Sequence, residues 1–191
     1  MRQTTILVVI ALTLAICAGT AAAQATPPAD TLKVDYFSNA NTAGAPDGTL
    51  RLTNPGTAPG NVCANIFVFD ADQELTECCS CFLSPDGLRT LSVNTDLTSN
   101  PLTGVILTTG LIKMVSTTLT VGTCPLPTNL NPIPALRAWE THIQNAGFAE
   151  TETAASDATL STGEVSRLKS ECNAVKIVGS GSGVCSCGTG D

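Results

Sequence analysis

Histidine is nearly missing from this sequence: His142 is the only one in 191 residues. Acid–base and nucleophilic mechanisms need convergent groups and usually recruit a histidine, so little catalytic machinery is on offer. The sole acidic residue close to it in sequence is Glu140, and no serine occupies a G-x-S-x-G elbow. The Gly-Ser run from Gly179 to Gly183 lacks the lysine of a phosphate-binding loop. Paired carboxylates of the glycosidase kind meet only in space, and nothing in the sequence singles out a pair. Basic residues are also few, nine against sixteen acidic. That balance argues against nucleic acid and against anionic membrane surfaces as partners. No apolar run reaches the roughly 20 residues that a membrane-spanning helix requires.

What is present begins with an export signal. Arg2 precedes an uncharged apolar stretch from Ile6 to Ala18, and small residues follow to Ala25. A basic start, a short apolar centre and an A-x-A-like end make residues 1–25 a secretory signal peptide, cleaved after Ala23 or Ala25. A lipoprotein signal acylated at Cys17 is the rival, but Ile16 stands where such a signal has a small residue. Arg2 leaves with the signal, so the mature chain sets eight basic against sixteen acidic side chains, a net charge of −8. The expected localisation is secreted or extracytoplasmic, in the periplasm or at the cell surface.

Cys17 leaves too, and eight cysteines remain: Cys63, Cys78, Cys79, Cys81, Cys124, Cys172, Cys185 and Cys187. An even number in an exported chain points to disulfides. We expect Cys63 to bond within the 78–81 cluster and Cys172 to bond Cys185 or Cys187. Thiolates could also hold copper or zinc, but with one histidine and an oxidising compartment we expect no metal and no cofactor.

The stretch Asn61–Cys81 reads as a hairpin. Val62 to Phe69 is apolar and β-rich, Asp70-Ala71-Asp72-Gln73 supplies turn residues, and a second run leads into the cysteines. With the turn centred near Ala71–Asp72, Cys63 would lie opposite Cys79. Asp70, Asp72 and Glu74 alternate like the start of a calcium loop, but the glycine and distal glutamate are missing, which favours a plain polar turn.

Leu32 to Phe37 alternates, with Leu32, Val34 and Tyr36 opposite Lys33 and Asp35, and reads as a strand after a lead-in at 24–31. Thr49 to Thr53 is a second strand, ended by Asn54-Pro55-Gly56. Leu88 to Val93 follows the hairpin, Asn94 to Gly104 reads as a loop, and Val105 to Leu107 and Leu111 to Val121 as two more strands. Four prolines between Cys124 and Pro134 interrupt regular structure and suggest a strap tethered by Cys124. Leu136 to Ile143 fits both periods; we favour a strand, paired through Asn145-Ala146-Gly147 with Phe148 to Thr153. Ser161 and Glu164 form a capping box, and Val165, Leu168, Cys172 and Val175 then share one helical face. A glycine-rich loop at 179–183 leads to an expected last strand at Val184–Cys187.

Short strands with turn signals and one late helix predict a mainly β, disulfide-stapled β-sandwich with a short C-terminal helix. Residues 26–123 would form its core, and the strap, hairpin, helix and tail of 124–191 would pack on the same domain. The run Thr49–Leu75, with its strand, Asn-Pro-Gly turn and strand, resembles immunoglobulin-like modules of bacterial surface proteins. The Asn-Pro-Gly, Cys-Cys-Ser-Cys, Ser-Pro-Asp-Gly-Leu and terminal C-x-C pattern is similar to small secreted bacterial proteins without assigned activity. That resemblance implies an immunoglobulin-like sandwich and carries no catalytic residue.

The function expected from the residues is therefore a non-enzymatic surface or matrix protein, structural or interacting. A carbohydrate- or peptide-binding domain is the alternative, and a small hydrolase the third reading. Partners would be an extracellular protein or glycan, or further copies joined through an edge strand. Tyr36 and Trp139 are the candidate binding aromatics.

Overall fold

The computed structural model describes residues 31–144, 149–178 and 182–190. The expected signal peptide, its lead-in up to residue 30, the turn at 145–147 and the glycine run at 179–181 lie outside these residues. The chain forms β1 (Leu32–Ser38), β2 (Thr49–Thr53), β3 (Val62–Asp70), β4 (Leu75–Leu83) and β5 (Leu88–Ser92). A single π-helical turn (Val93–Leu97) precedes β6 (Thr109–Thr118), β7 (Arg137–Gln144), β8 (Ala149–Ala154) and β9 (Ser156–Ala158). Helix α1 (Thr162–Val178) and the two-residue β10 (Thr189–Gly190) complete it. Two antiparallel five-stranded sheets result, ordered β4-β3-β6-β1-β9 and β10-β5-β2-β7-β8.

The first sheet is covered on both faces, which explains why β3 is buried from Val62 to Phe69 and shows no alternation of apolar and polar residues. Val62, Ala64, Ile66 and Val68 face the second sheet, where they meet Leu50, Leu52 and Leu91 in the main core. Phe67 and Phe69 point the other way, into a second core with Val165, Leu168, Cys172 and Val175 of α1. Ser161 caps α1 as its sequence implies, its Oγ accepting from the Glu164 amide at 3.0 Å. The Glu164 carboxylate does not reach back to Ser161, however. It bonds Lys113 at 2.6 Å and Arg167 at 3.1 Å, because cations on β6 and one helical turn on offer stronger partners than a backbone amide.

The β3–β4 hairpin forms, but with its turn centred later than expected. Asp70 Oδ1 accepts from the amides of Asp72 (3.0 Å) and Glu74 (2.9 Å), so the three acidic residues build the turn. Cys63 consequently faces Phe82, while Cys79 faces Ile66. Residues 105–107 form no strand: Val105 and Ile106 are exposed on the loop before β6, where no neighbouring strand reaches them. Val184 makes one parallel bridge to Cys78 instead of a strand, and the last strand lies further on at β10. Nor does the core close by residue 123, since β7 to β10 supply three strands of the second sheet and one of the first.

All eight cysteines among the described residues are paired, and the pairing corrects the expected one. Cys63 joins Cys124, tying the proline-rich strap to the start of β3. Cys78 joins Cys172 on α1, whereas Cys79 and Cys81 join Cys185 and Cys187 of the tail. The reason is strand geometry: successive side chains leave opposite faces. Cys78 therefore points to the helix and Cys79 with Cys81 to the inner side. The same rule separates Cys78 from Cys81, whose i, i+3 spacing would be a metal or redox pair on a tighter turn.

Two strand-to-strand crossings close the open sides of the sandwich. On one side β8 and β9 form a nearly continuous segment through Ala155, pairing first with β7 and then with β1 in the opposite sheet. On the other side the tail bridges β4 at Val184 and reaches β5 through β10. Both seams thus span the two sheets, but they are held by different chemistry.

Candidate functional site

The β8–β9 seam buries ionisable groups where a sandwich normally buries hydrocarbon. On β1, Lys33, Asp35 and Phe37 are opposite Met114, Ile112 and Gly110 and share the inward face. On β7, Ala138 and Glu140 lie opposite the core residues Leu52 and Leu50, and His142 continues that face. Alternation along β1 correctly separates Lys33 and Asp35 from Leu32, Val34 and Tyr36. It does not say which set is enclosed; here both are, except Tyr36, which is 50% exposed.

Asp35 and His142 are 7% and 5% exposed, and Glu140 is fully buried. His142 Nε2 lies 3.2 Å from Asp35 Oδ1, which also accepts from the Tyr36 amide at 3.0 Å. The Tyr36 ring stacks on the imidazole with centroids 4.4 Å apart. Among the described residues, Asp35 Oδ2, both Glu140 carboxylate oxygens and His142 Nδ1 have no hydrogen-bond partner. Burial raises the Asp35 carboxyl above its ordinary pKa, opposed by the Tyr36 amide and by His142. Burial, reinforced by the Asp35 charge, raises Glu140 well above the usual glutamate range. Nearby, Lys33 reaches out of the interior to Asp157 on β9.

Outside these groups lies a cleft of about 360 Å³, bounded by Asp35, Tyr36 and His142 with Thr151, Thr153 and Ser156. It opens because β9 pairs only with residues 32–34 of β1, leaving the latter half of that strand uncovered on this side. Glu140 does not line the cleft and sits behind its floor. Among the described residues, no three of His, Cys, Asp and Glu converge closely enough to hold a metal ion.

The structure brings Tyr36 to this cleft but leaves Trp139 elsewhere. Trp139 lies on the outward side of β7, half-buried and paired with Arg51 and Ala154. Sequence reasoning noticed Glu140 beside His142 yet missed Asp35, whose contribution comes from a strand more than 100 residues earlier. Alternate positions 138, 140 and 142 on one strand were the available signal.

A second cavity, about 680 Å³, lies between the β3–β4 turn and α1. Lys113 and Arg167 both stand over the Phe69 ring there, 5.1 and 4.8 Å from its centroid, but Glu164 and Glu171 pair with them. No family model, curated protein or solved structure matches this chain. Its four disulfides belong to an oxidising environment, and no described helix is long and apolar enough to cross a membrane.

Proposed function

We propose that this is an exported, non-enzymatic recognition protein of a surface or matrix, with its binding site in the β8–β9 seam. The supporting observation is the division of the polar cluster. Asp35, His142 and the exposed Tyr36 border an open cleft, whereas the second carboxylate, Glu140, is sealed behind it. Two-carboxylate hydrolysis needs both groups at the scissile bond, one to donate and one to activate. A cleft with one reachable carboxylate and an aromatic wall suits holding a ligand better than cleaving it. Secretion follows the amino-terminal signal and the four disulfides. The immunoglobulin-like affinity, supported by the strand, Asn-Pro-Gly and strand pattern, belongs to this same proposal.

The test uses the oxidised, processed chain against immobilised glycans and peptides from the native envelope or medium, beside a panel of glycosidase, esterase and peptidase substrates. Saturable binding that Tyr36→Ala weakens, with no turnover, is the expected result. A hydrolytic activity abolished by His142→Ala would reject the recognition reading.

A further inference from the structure

Resting on that recognition reading, we propose that the seam cleft binds a primary ammonium group, as carried by a lysine side chain or an amino sugar. The argument starts from hydrogen-bond polarity. His142 Nε2 faces Asp35 Oδ1 at bonding distance, so that nitrogen carries the proton of the neutral ring and Nδ1 is left as an acceptor. Asp35 Oδ2 is an acceptor as well, and neither atom has a partner among the described residues. The side of the cluster that borders the cleft therefore presents unfilled acceptors, while Glu140 stays behind the floor. Buried polar atoms are normally satisfied, and leaving one unsatisfied is costly.

Charge points the same way. The Asp35 carboxylate borders the cleft with the Glu140 carboxyl behind it, and the buried cation on the same strand face, Lys33, is committed to Asp157. The group that completes the site must bring donors and positive charge together. A metal ion brings charge but needs short, convergent ligands, which these side chains do not provide. An ammonium group brings three donors on a swinging stem and tolerates longer, independently directed contacts. Tyr36 supplies the remaining element. Its ring covers His142 with one face while half its surface stays in solvent, so rotation outward admits the ligand and leaves an aromatic wall beside the cation. The Thr151, Thr153 and Ser156 segment forms the opposite rim.

Protons compete for the same acceptors. The titratable and charged groups facing the site are Asp35, Tyr36 and Lys33 of β1, Glu140 and His142 of β7, and Asp157 of β9. Burial raises the Asp35 carboxyl above its ordinary range, so lower pH protonates this acceptor and ammonium binding strengthens as pH rises.

The experiment is calorimetric titration of the oxidised, processed chain with two amines and their uncharged counterparts. Nα-acetyl-lysine methylamide and glucosamine are matched by Nα-acetyl-norleucine methylamide and N-acetylglucosamine. One-to-one binding of an amine, about tenfold or more tighter than its counterpart and tightening from about pH 5 to about pH 8, is expected. Which amine binds better separates a protein partner from a glycan. Asp35→Asn, of equal size, is expected to weaken binding about tenfold and flatten the pH dependence while circular dichroism stays unchanged. Equal binding of charged and uncharged probes, no amine binding, or a stoichiometric divalent cation that displaces the amine would each overturn the ammonium assignment. Those results leave general recognition standing. Turnover lost in His142→Ala overturns recognition itself.

Discussion

The two seams of the sandwich solve one problem by opposite means. At the tail seam, two disulfides join β4 to residues 185 and 187, and the link does not depend on protonation. At the β8–β9 seam, the sheets meet through Asp35, Glu140, His142 and the Lys33–Asp157 pair, and every one of these contacts is made by ionisable side chains. Covalent closure makes one side fixed. Titratable closure makes the other side responsive, and it is the responsive side that carries the cleft.

The largest effect is expected from removing the covalent seam. Cys79–Cys185 and Cys81–Cys187 both span 106 residues, so once one is closed the other adds only a tiny loop. Replacing all four of these cysteines by serine should cost about 4–5 kcal/mol in denaturant unfolding, and removing either bond alone about 1 kcal/mol. Equal and additive single losses would show that strain or local packing, not loop closure, sets the stability of this side.

Raising the pH should loosen the ionisable seam. Burial, reinforced by the Asp35 charge, raises Glu140 there well above the usual glutamate range, and on β4, beside the tail, burial pushes Glu77 up to about 8 against the Asn100 amide. Folded carboxyls with raised pKa values bind more protons than the unfolded chain, so this stability is complete below about pH 4.5 and is lost as pH rises towards about 8. Glu77 alone accounts for up to about 5 kcal/mol. The melting temperature should therefore fall steadily across that window. Hydrogen exchange should quicken in β8 and β9 but not in the residues bridged to Cys79 and Cys81. Uniform quickening would erase the distinction between the seams.

Smaller effects separate the partners within the ionisable seam. Asp157→Asn should cost about 2–3 kcal/mol, because it leaves the buried Lys33 ammonium without its counter-charge. Lys33→Met should cost under about 1 kcal/mol, since Asp157 is half exposed and is rehydrated. Equal losses would mean that the contact, not the buried charge, is what matters. Glu140→Gln should change little at about pH 5 and become stabilising as pH rises, because it removes the cost that ionisation imposes on a buried carboxyl.

Much of the fold was legible in residue periodicity. Leu32–Phe37, Thr49–Thr53, the Asn61–Cys81 hairpin and the face Val165, Leu168, Cys172 and Val175 all occur where the pattern placed them. The seams were not. Alternation at Lys33 and Asp35 gives the period of a strand, but a strand covered on both sides offers no solvent face to identify the polar residues as outward. Disulfide choice failed for a related reason, because proximity in sequence was allowed to stand for proximity in space. The matching C-x-C spacings at 79–81 and 185–187 were the usable sign, since both place two sulfurs on one side of an extended chain.

The order of cysteines along the chain has a consequence for biosynthesis. Cys78, Cys79 and Cys81 emerge together, yet their partners are Cys172, Cys185 and Cys187, 94 to 106 residues later. Through most of elongation a cluster of neighbouring thiols waits with Cys63 close by, able to exchange among themselves before the right partner exists. Only Cys124 arrives early enough to relieve Cys63. Native pairing of this cluster therefore waits on the last-made segments of the chain, and any earlier thiol pairing has to be exchanged away before it can form.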